Sequence, residues 1–174
     1  MAKNQLVLAF FENEAAADAA VESLKKWGKA NKEIKRGAVA VLVKDEQGKI
    51  KEHKLGKRKT KTGAVVGALI GVLSGGVTVI GGAIVGGILG SFFHKGMGLS
   101  KDDLARIDGE LSSGKAAVAV LAKSKEVDDV TAKLAKLGGT TETHKVSEDA
   151  LEEAVNAANA TPEETPAEEP AATS

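Results

Sequence analysis

Two stretches of this chain, 110 residues apart, carry one pattern of apolar residues, and that spacing limits the folds open to it. Leu6–Phe11 and Ala116–Leu121 are unbroken apolar runs of the length expected for buried strands. Each leads into apolar residues at helical spacing: Ala17, Ala20, Val21, Leu24 and Trp27 after the first, and Val127, Val130, Leu134 and Leu137 after the second. At the fixed offset, Ala17 falls on Val127, Ala20 on Val130, Leu24 on Leu134, Trp27 on Leu137 and Gly28 on Gly138. Asn13 and Ser124 stand where helix caps are needed, and Gly28 and Gly138-Gly139 where helices stop. A further strand follows each helix, at Ala38–Val43 and at Thr140–Val146. Two βαβ units in one chain predict the α+β class: a ferredoxin-like split βαβ sandwich, with two helices on one face of a sheet. After the first unit, Asp45-Glu46-Gln47-Gly48 reads as a turn and Lys49–Leu55 as a more polar returning strand.

Between the halves lies a segment of a different kind. Thr62–Phe93 holds no charged side chain and 10 of the chain's 20 glycines. Gly63, Gly67, Gly71 and Gly75 recur every fourth residue, and so do Gly82, Gly86 and Gly90. On a helix each set forms a smooth stripe. Glycine costs an isolated helix about 1 kcal/mol relative to alanine, so such a stripe makes sense where another backbone packs against it. The expectation is an inserted glycine-rich helical hairpin that oligomerises through these seven glycines. A single crossing of a membrane would separate the two halves of one sheet, so the insert must return to the side it leaves. It is then a pair of short crossings, a re-entrant loop, or a water-soluble hairpin buried in an oligomer. A full span needs about 20 residues, and both arms are marginal. Lys54, Lys57, Arg58, Lys59 and Lys61 precede the insert and suit anionic lipid headgroups, with His94-Lys95 after it. The bland reading of the lysines is a solvated loop.

The remaining chain divides accordingly: 1–56 as the first βαβ half, 57–99 as basic lead-in and hairpin, 100–158 as a helix, the second half and a C-terminal helix, and 159–174 as a disordered acidic tail rich in Pro and Ala. Ser100 with Asp103 resembles a capping box ahead of Leu104, Ile107 and Leu111. Ser147 caps the last helix, which carries Leu151 and Val155.

Chemistry is scarce. Lys and Arg total 24, as do Asp and Glu, so the formal net charge is zero, which argues against nucleic acid as a partner. Without cysteine there are neither disulfides nor thiolate metal sites. His53, His94 and His144 read as surface histidines, far apart and without carboxylates at metal-ligand spacing. Gly56-Lys57-Arg58-Lys59-Thr60 lacks the glycine a phosphate loop needs five positions earlier, where Lys51 stands. Asp102-Asp103 and Asp128-Asp129 suit helix first turns. No catalytic residue, metal or cofactor is assigned. Met1–Gln5 lead into only six apolar residues, too few for a signal peptide, so the chain reads as cytoplasmic, or as lying on the cytoplasmic face of the inner membrane.

The stretches LVLAFFENEAAADAAVESL, AVAVLVKDEQGKI and AAVAVLAKSKEVDDVTAKLAKLGG, with the glycine hairpin between the last two, resemble a bacterial family of unknown function. Its members are labelled predicted membrane proteins or heat-induced stress-protein-like. The resemblance covers about residues 5–158, and its most specific element is the turn Val43–Lys49 followed by the hairpin. It implies a membrane-associated or stress-related role and brings no catalytic residues. The expected function is therefore a non-enzymatic, self-assembling, membrane-associated protein, with itself and anionic lipids as partners. The alternative is a soluble cytoplasmic homo-oligomeric scaffold or a small-ligand-binding regulatory module.

Overall fold

A computed structural model of the protein describes residues 4–30, 39–48, 50–53, 77–80, 83–86, 98–149, 151–152 and 156. The acidic tail, the basic lead-in and most of the insert lie outside these residues. The elements are β1 (Asn4–Phe11), α1 (Glu14–Ala30), β2 (Val39–Lys44), β3 (Ile50–His53), β4 (Val77–Ile80), β5 (Ala83–Gly86), α2 (Lys101–Ser112), β6 (Ala116–Lys123), α3 (Val127–Lys136) and β7 (Thr140–Val146).

Five strands form one sheet in the order β3-β2-β6-β1-β7, every neighbouring pair antiparallel. Without the edge hairpin strand β3, this is the ferredoxin-like split βαβ order: each βαβ unit embraces the first strand of the other. The two first strands of the repeat are thus direct neighbours at the centre, with Asn4 opposite Lys123 and Phe11 opposite Ala116. Their continuous apolar character follows from burial on both sides, since successive side chains point to opposite faces.

One face is the expected helical layer. Val7, Ala9 and Phe11 of β1 and Val118, Val120 and Ala122 of β6 pack with Ala17, Ala20, Val21 and Leu24 of α1 and with Val127, Val130 and Leu134 of α3. The residues matched at offset 110 therefore share one layer. The other face is covered too. Leu6, Leu8, Phe10, Ala117, Ala119 and Leu121 meet Ile107 and Leu111 of α2, together with Leu99 and Leu151. The helix read only as an extra element between the halves is the lid of this second core. Leu151 reaches it from the C-terminal helix expected after Ser147: residues 148–149, 151–152 and 156 are helical, and Leu151 N–H donates to Ser147 O at 3.1 Å.

Local signals explain most boundaries. Asn13 Oδ1 accepts from Ala16 N–H at 2.9 Å and opens α1. At the end of α3, Gly138 adopts φ +95°, its N–H donates to Ala135 O, and Gly139 N–H donates to Leu134 O. Those two bonds make a Schellman ending. Gly28 does not act likewise: α1 continues to Ala30, and Gly28 is not left-handed. One glycine costs a helix only about 1 kcal/mol, less than the helix gains from its buried face. Ser124 also differs from expectation. Glu126 occupies the position before α3 without a side-chain cap bond, while Ser124 Oγ accepts from Gln5 Nε2 at 3.3 Å.

The described part of the glycine insert departs from a helical hairpin. Val77–Ile80 and Ala83–Gly86 pair antiparallel as a separate two-stranded sheet, with Val77 opposite Gly86 and Ile80 opposite Ala83. The reason is local. Val77, Thr78, Val79, Ile80, Ile84 and Val85 are β-branched, and Gly81-Gly82 is a residue pair suited to a two-residue hairpin loop.

Leu134 is fully buried between α3 and the sheet. Leu134→Ala should lose about 3 kcal/mol of unfolding free energy in urea, through lost burial and the cavity left behind. Lys136→Ala, two residues on, should stay within about 0.5 kcal/mol of the unchanged protein.

Candidate functional site

Polar chemistry in the described core gathers where α2 crosses the sheet. The helix starts beside edge strand β7 and ends beside β2, and a polar seam flanks its apolar stripe at each side. On β7, Glu142 and His144 stand two residues apart and so share a face. Their partners across the strand pair, Leu8 and Leu6, face α2, so both polar side chains turn toward that helix.

The seam is continuous. Ser100 Oγ accepts from Asp103 N–H at 3.0 Å, and Asp103 Oδ2 accepts from Ser100 N–H at 2.9 Å, completing a capping box. Asp103 Oδ1 lies 3.3 Å from Arg106 Nη2, and Arg106 Nη1 lies 2.5 Å from Glu142 Oε2. Glu142 Oε1 lies 2.9 Å from His144 Nε2, and His144 Nδ1 is 3.4 Å from Gly98 O. The His144 side chain is only 10% exposed. Gly98 has φ +63°, and a Cβ there would come within 2.7 Å of Lys145 O, so only glycine lets the chain approach β7 this closely.

The seam's ionisation follows from these contacts. The Ser100 hydroxyl, helped by the Ser100 N–H, holds the Asp103 carboxyl down at about 2. Burial raises the pKa of Glu142, but hydrogen bonds from His144 and Arg106 outweigh it and leave the carboxyl below its usual range. Burial lowers the pKa of His144, and the bond and charge of Glu142 outweigh that and raise it. With the His144 ring protonated, charges alternate along the seam, each bonded to the next.

The second seam joins α2 to β2. Lys44 Nζ donates to Asp108 Oδ1 and to Ser112 Oγ, both at 2.8 Å, with its side chain 18% exposed. Beside it, Lys115 pairs with Glu110.

Both seams are built to hold α2 in place. Both oxygens of Glu142 are engaged, and both nitrogens of His144 face acceptors. Among the described residues, no group of three or more His, Asp or Glu side chains is arranged to hold a metal ion. Nor is any described helix long and apolar enough to cross a membrane.

Of the sequence-selected residues, Gly63, Gly67, Gly71, Gly75, Gly82 and Gly90 lie outside the described residues, as do Lys54, Lys57, Arg58, Lys59 and Lys61. Gly86 ends β5 opposite Val77, on a strand and not on a helical stripe. His94 lies outside the described residues, and His53 ends β3. His144 is the histidine that the surface reading missed. Its signal was present: Glu142 and His144 two apart in a strand must share a face, and their partners across the pair are leucines.

The described core is a ferredoxin-like α+β sandwich, covered on both faces and interrupted by a long uncharged insert. The chain belongs to a family of proteins of unknown function, DUF1269, whose model matches residues 60–156. That match takes in the insert, α2, β6, α3 and β7, and it leaves out β1 through β3. No curated protein and no solved structure matches the chain.

Asp103→Ala removes half of the capping box and one link of the seam. At pH 7 it should cost about 1 kcal/mol in chemical denaturation. Because the folded-state pKa is depressed, the wild-type advantage is full above pH 3.8 and is lost as pH falls toward 2. The stability difference between the two proteins should therefore shrink across that acid range.

Proposed function

We propose that the protein is a non-enzymatic, self-assembling, membrane-associated protein, whose α+β core holds out the glycine-rich insert as its working part. The observation that carries this reading is the 32-residue uncharged run Thr62–Phe93, inserted between the two halves of one sheet. Since β3 and α2 belong to one folded body, whatever the insert enters, it must leave on the same side. Five cations in Lys54–Lys61 stand at its start, where they would meet anionic headgroups. The membrane and stress labels of the family that the sequence resembles agree with this reading.

A second reading is a soluble homo-oligomeric scaffold, and one observation favours it. A lone two-stranded hairpin is marginal in water, and β4–β5 stands apart from the main sheet. Its apolar strands could be completed by strands from other copies instead of by lipid.

Vesicle flotation separates the two. On the first reading the protein floats with vesicles containing anionic lipid and resists carbonate extraction from cell membranes. Each cation removed near such a surface forfeits about 1 kcal/mol. A variant with Lys57, Arg58, Lys59 and Lys61 all changed to Gln should lose most of its flotation on anionic vesicles. A wild-type protein that stays at the bottom of the gradient as a defined oligomer would support the scaffold and end the membrane reading.

A further inference from the structure

We propose that His144 is a proton-operated latch, which fastens the point where the insert rejoins the core to edge strand β7. The argument rests on donors and acceptors. His144 Nδ1 faces the backbone oxygen of Gly98 at 3.4 Å, and Nε2 faces a carboxylate oxygen of Glu142 at 2.9 Å. A carbonyl and a carboxylate only accept, so satisfying both requires a proton on each ring nitrogen. Neutral imidazole carries one proton and must leave one of the two contacts without a donor. The ring itself is almost enclosed, whereas Gly98 lies at the surface, so its carbonyl can turn to water once the ring offers it no donor.

The surroundings favour the doubly protonated ring. Its own strand supplies Glu142. The neighbouring helix α2 supplies Asp103, whose charge also reaches the ring, and Arg106, which holds the other oxygen of Glu142. Across the strand pair, β1 sets the apolar Leu6 opposite the ring. Despite burial, the ring's pKa lies above the ordinary 6.5. The latch is therefore closed below pH 6.5 and opens as pH rises through the raised value.

Position gives the latch its consequence. Gly98 is two residues before the Ser100 cap of α2, at the chain's return from the insert. Its left-handed conformation and its approach to Lys145 place it against the β7 backbone. Of the two contacts, the one to Gly98 O is longer, and Glu142 is the stronger acceptor. The proton that remains stays toward Glu142, and the hold on Gly98 is the one released. The inference concerns the core alone and stands whichever surroundings the insert occupies.

Amide hydrogen exchange of the full chain, corrected for the intrinsic pH dependence of exchange, tests it. Residues 98–104 should lose about tenfold in protection between pH 6 and pH 9, the scale of one charge-assisted hydrogen bond. Residues of β1 and β6 should keep theirs. The midpoint should coincide with the NMR titration of the His144 ring, assigned by comparison with His144→Gln. In His144→Gln the local pH dependence should vanish. Glu142→Gln should keep the fold and move the His144 midpoint to lower pH. Protection of residues 98–104 that is constant across this range in the wild type, or that changes equally in His144→Gln, would overturn the latch.

Discussion

Everything in the described core depends on the pairing of β1 with β6. It joins the N-terminal half to the C-terminal half, residue against residue from Asn4–Lys123 to Phe11–Ala116. Both strands are buried on both faces, so each contributes apolar side chains to two separate cores. The pairing also divides volume between neighbours. Leu8 lies opposite Ala119 and Phe10 opposite Ala117 on the α2 face, so these two large residues of β1 sit beside small ones of β6. Packing at interior density requires such complementarity, and it keeps the sheet close to the helices above and below it.

The two faces are closed by different means. On one, α1 and α3 come from the repeat itself and bury alanine, valine and leucine. On the other, α2 comes from the end of the insert and is flanked by polar seams, Lys44 with Asp108 and Ser112 on the β2 side, Arg106 with Glu142 and His144 on the β7 side. Apolar contact alone permits a helix to slide or rotate, whereas paired charges at both flanks fix where it lies. The link from sequence to possible function runs through this helix, because its first turn is where the chain returns from the insert.

Much of the fold could be read from residue spacing. The repeat located the two central strands, the two helices of one face and β7, whose limits at Thr140 and Val146 agree with the structure. The Ser100–Asp103 box and the Gly138 ending are local devices, and local devices can be read locally. What spacing could not reveal depended on tertiary context. Gly28 looks like a stop but lies in a helix sustained by Val21 and Leu24 beneath it. The fourfold glycine period at Gly82 and Gly86 competes with β-branched neighbours, and over Val77–Gly86 the β-branched residues prevail. His144 looks exposed in a strand of threonines, because the helix that encloses it comes from elsewhere in the chain. The residues selected for assembly and lipid contact lie in the insert and its basic lead-in, so a fold legible from its halves leaves the candidate site least legible of all.

The central pairing has a consequence for synthesis. Its partners are more than 100 residues apart in the chain, so β1 cannot acquire its β6 neighbour until the insert and α2 have been made. At about 5–20 residues per second, that is an interval of about 5–20 s. Its β7 neighbour arrives later still. Late in that interval, a strand that is apolar from Leu6 to Phe11 and has two open edges is tethered to a 32-residue uncharged segment. A ribosome-bound chain in that state presents two adhesive surfaces at once. Whether it meets a chaperone, a bilayer or a second nascent copy first is a question of timing as much as of affinity.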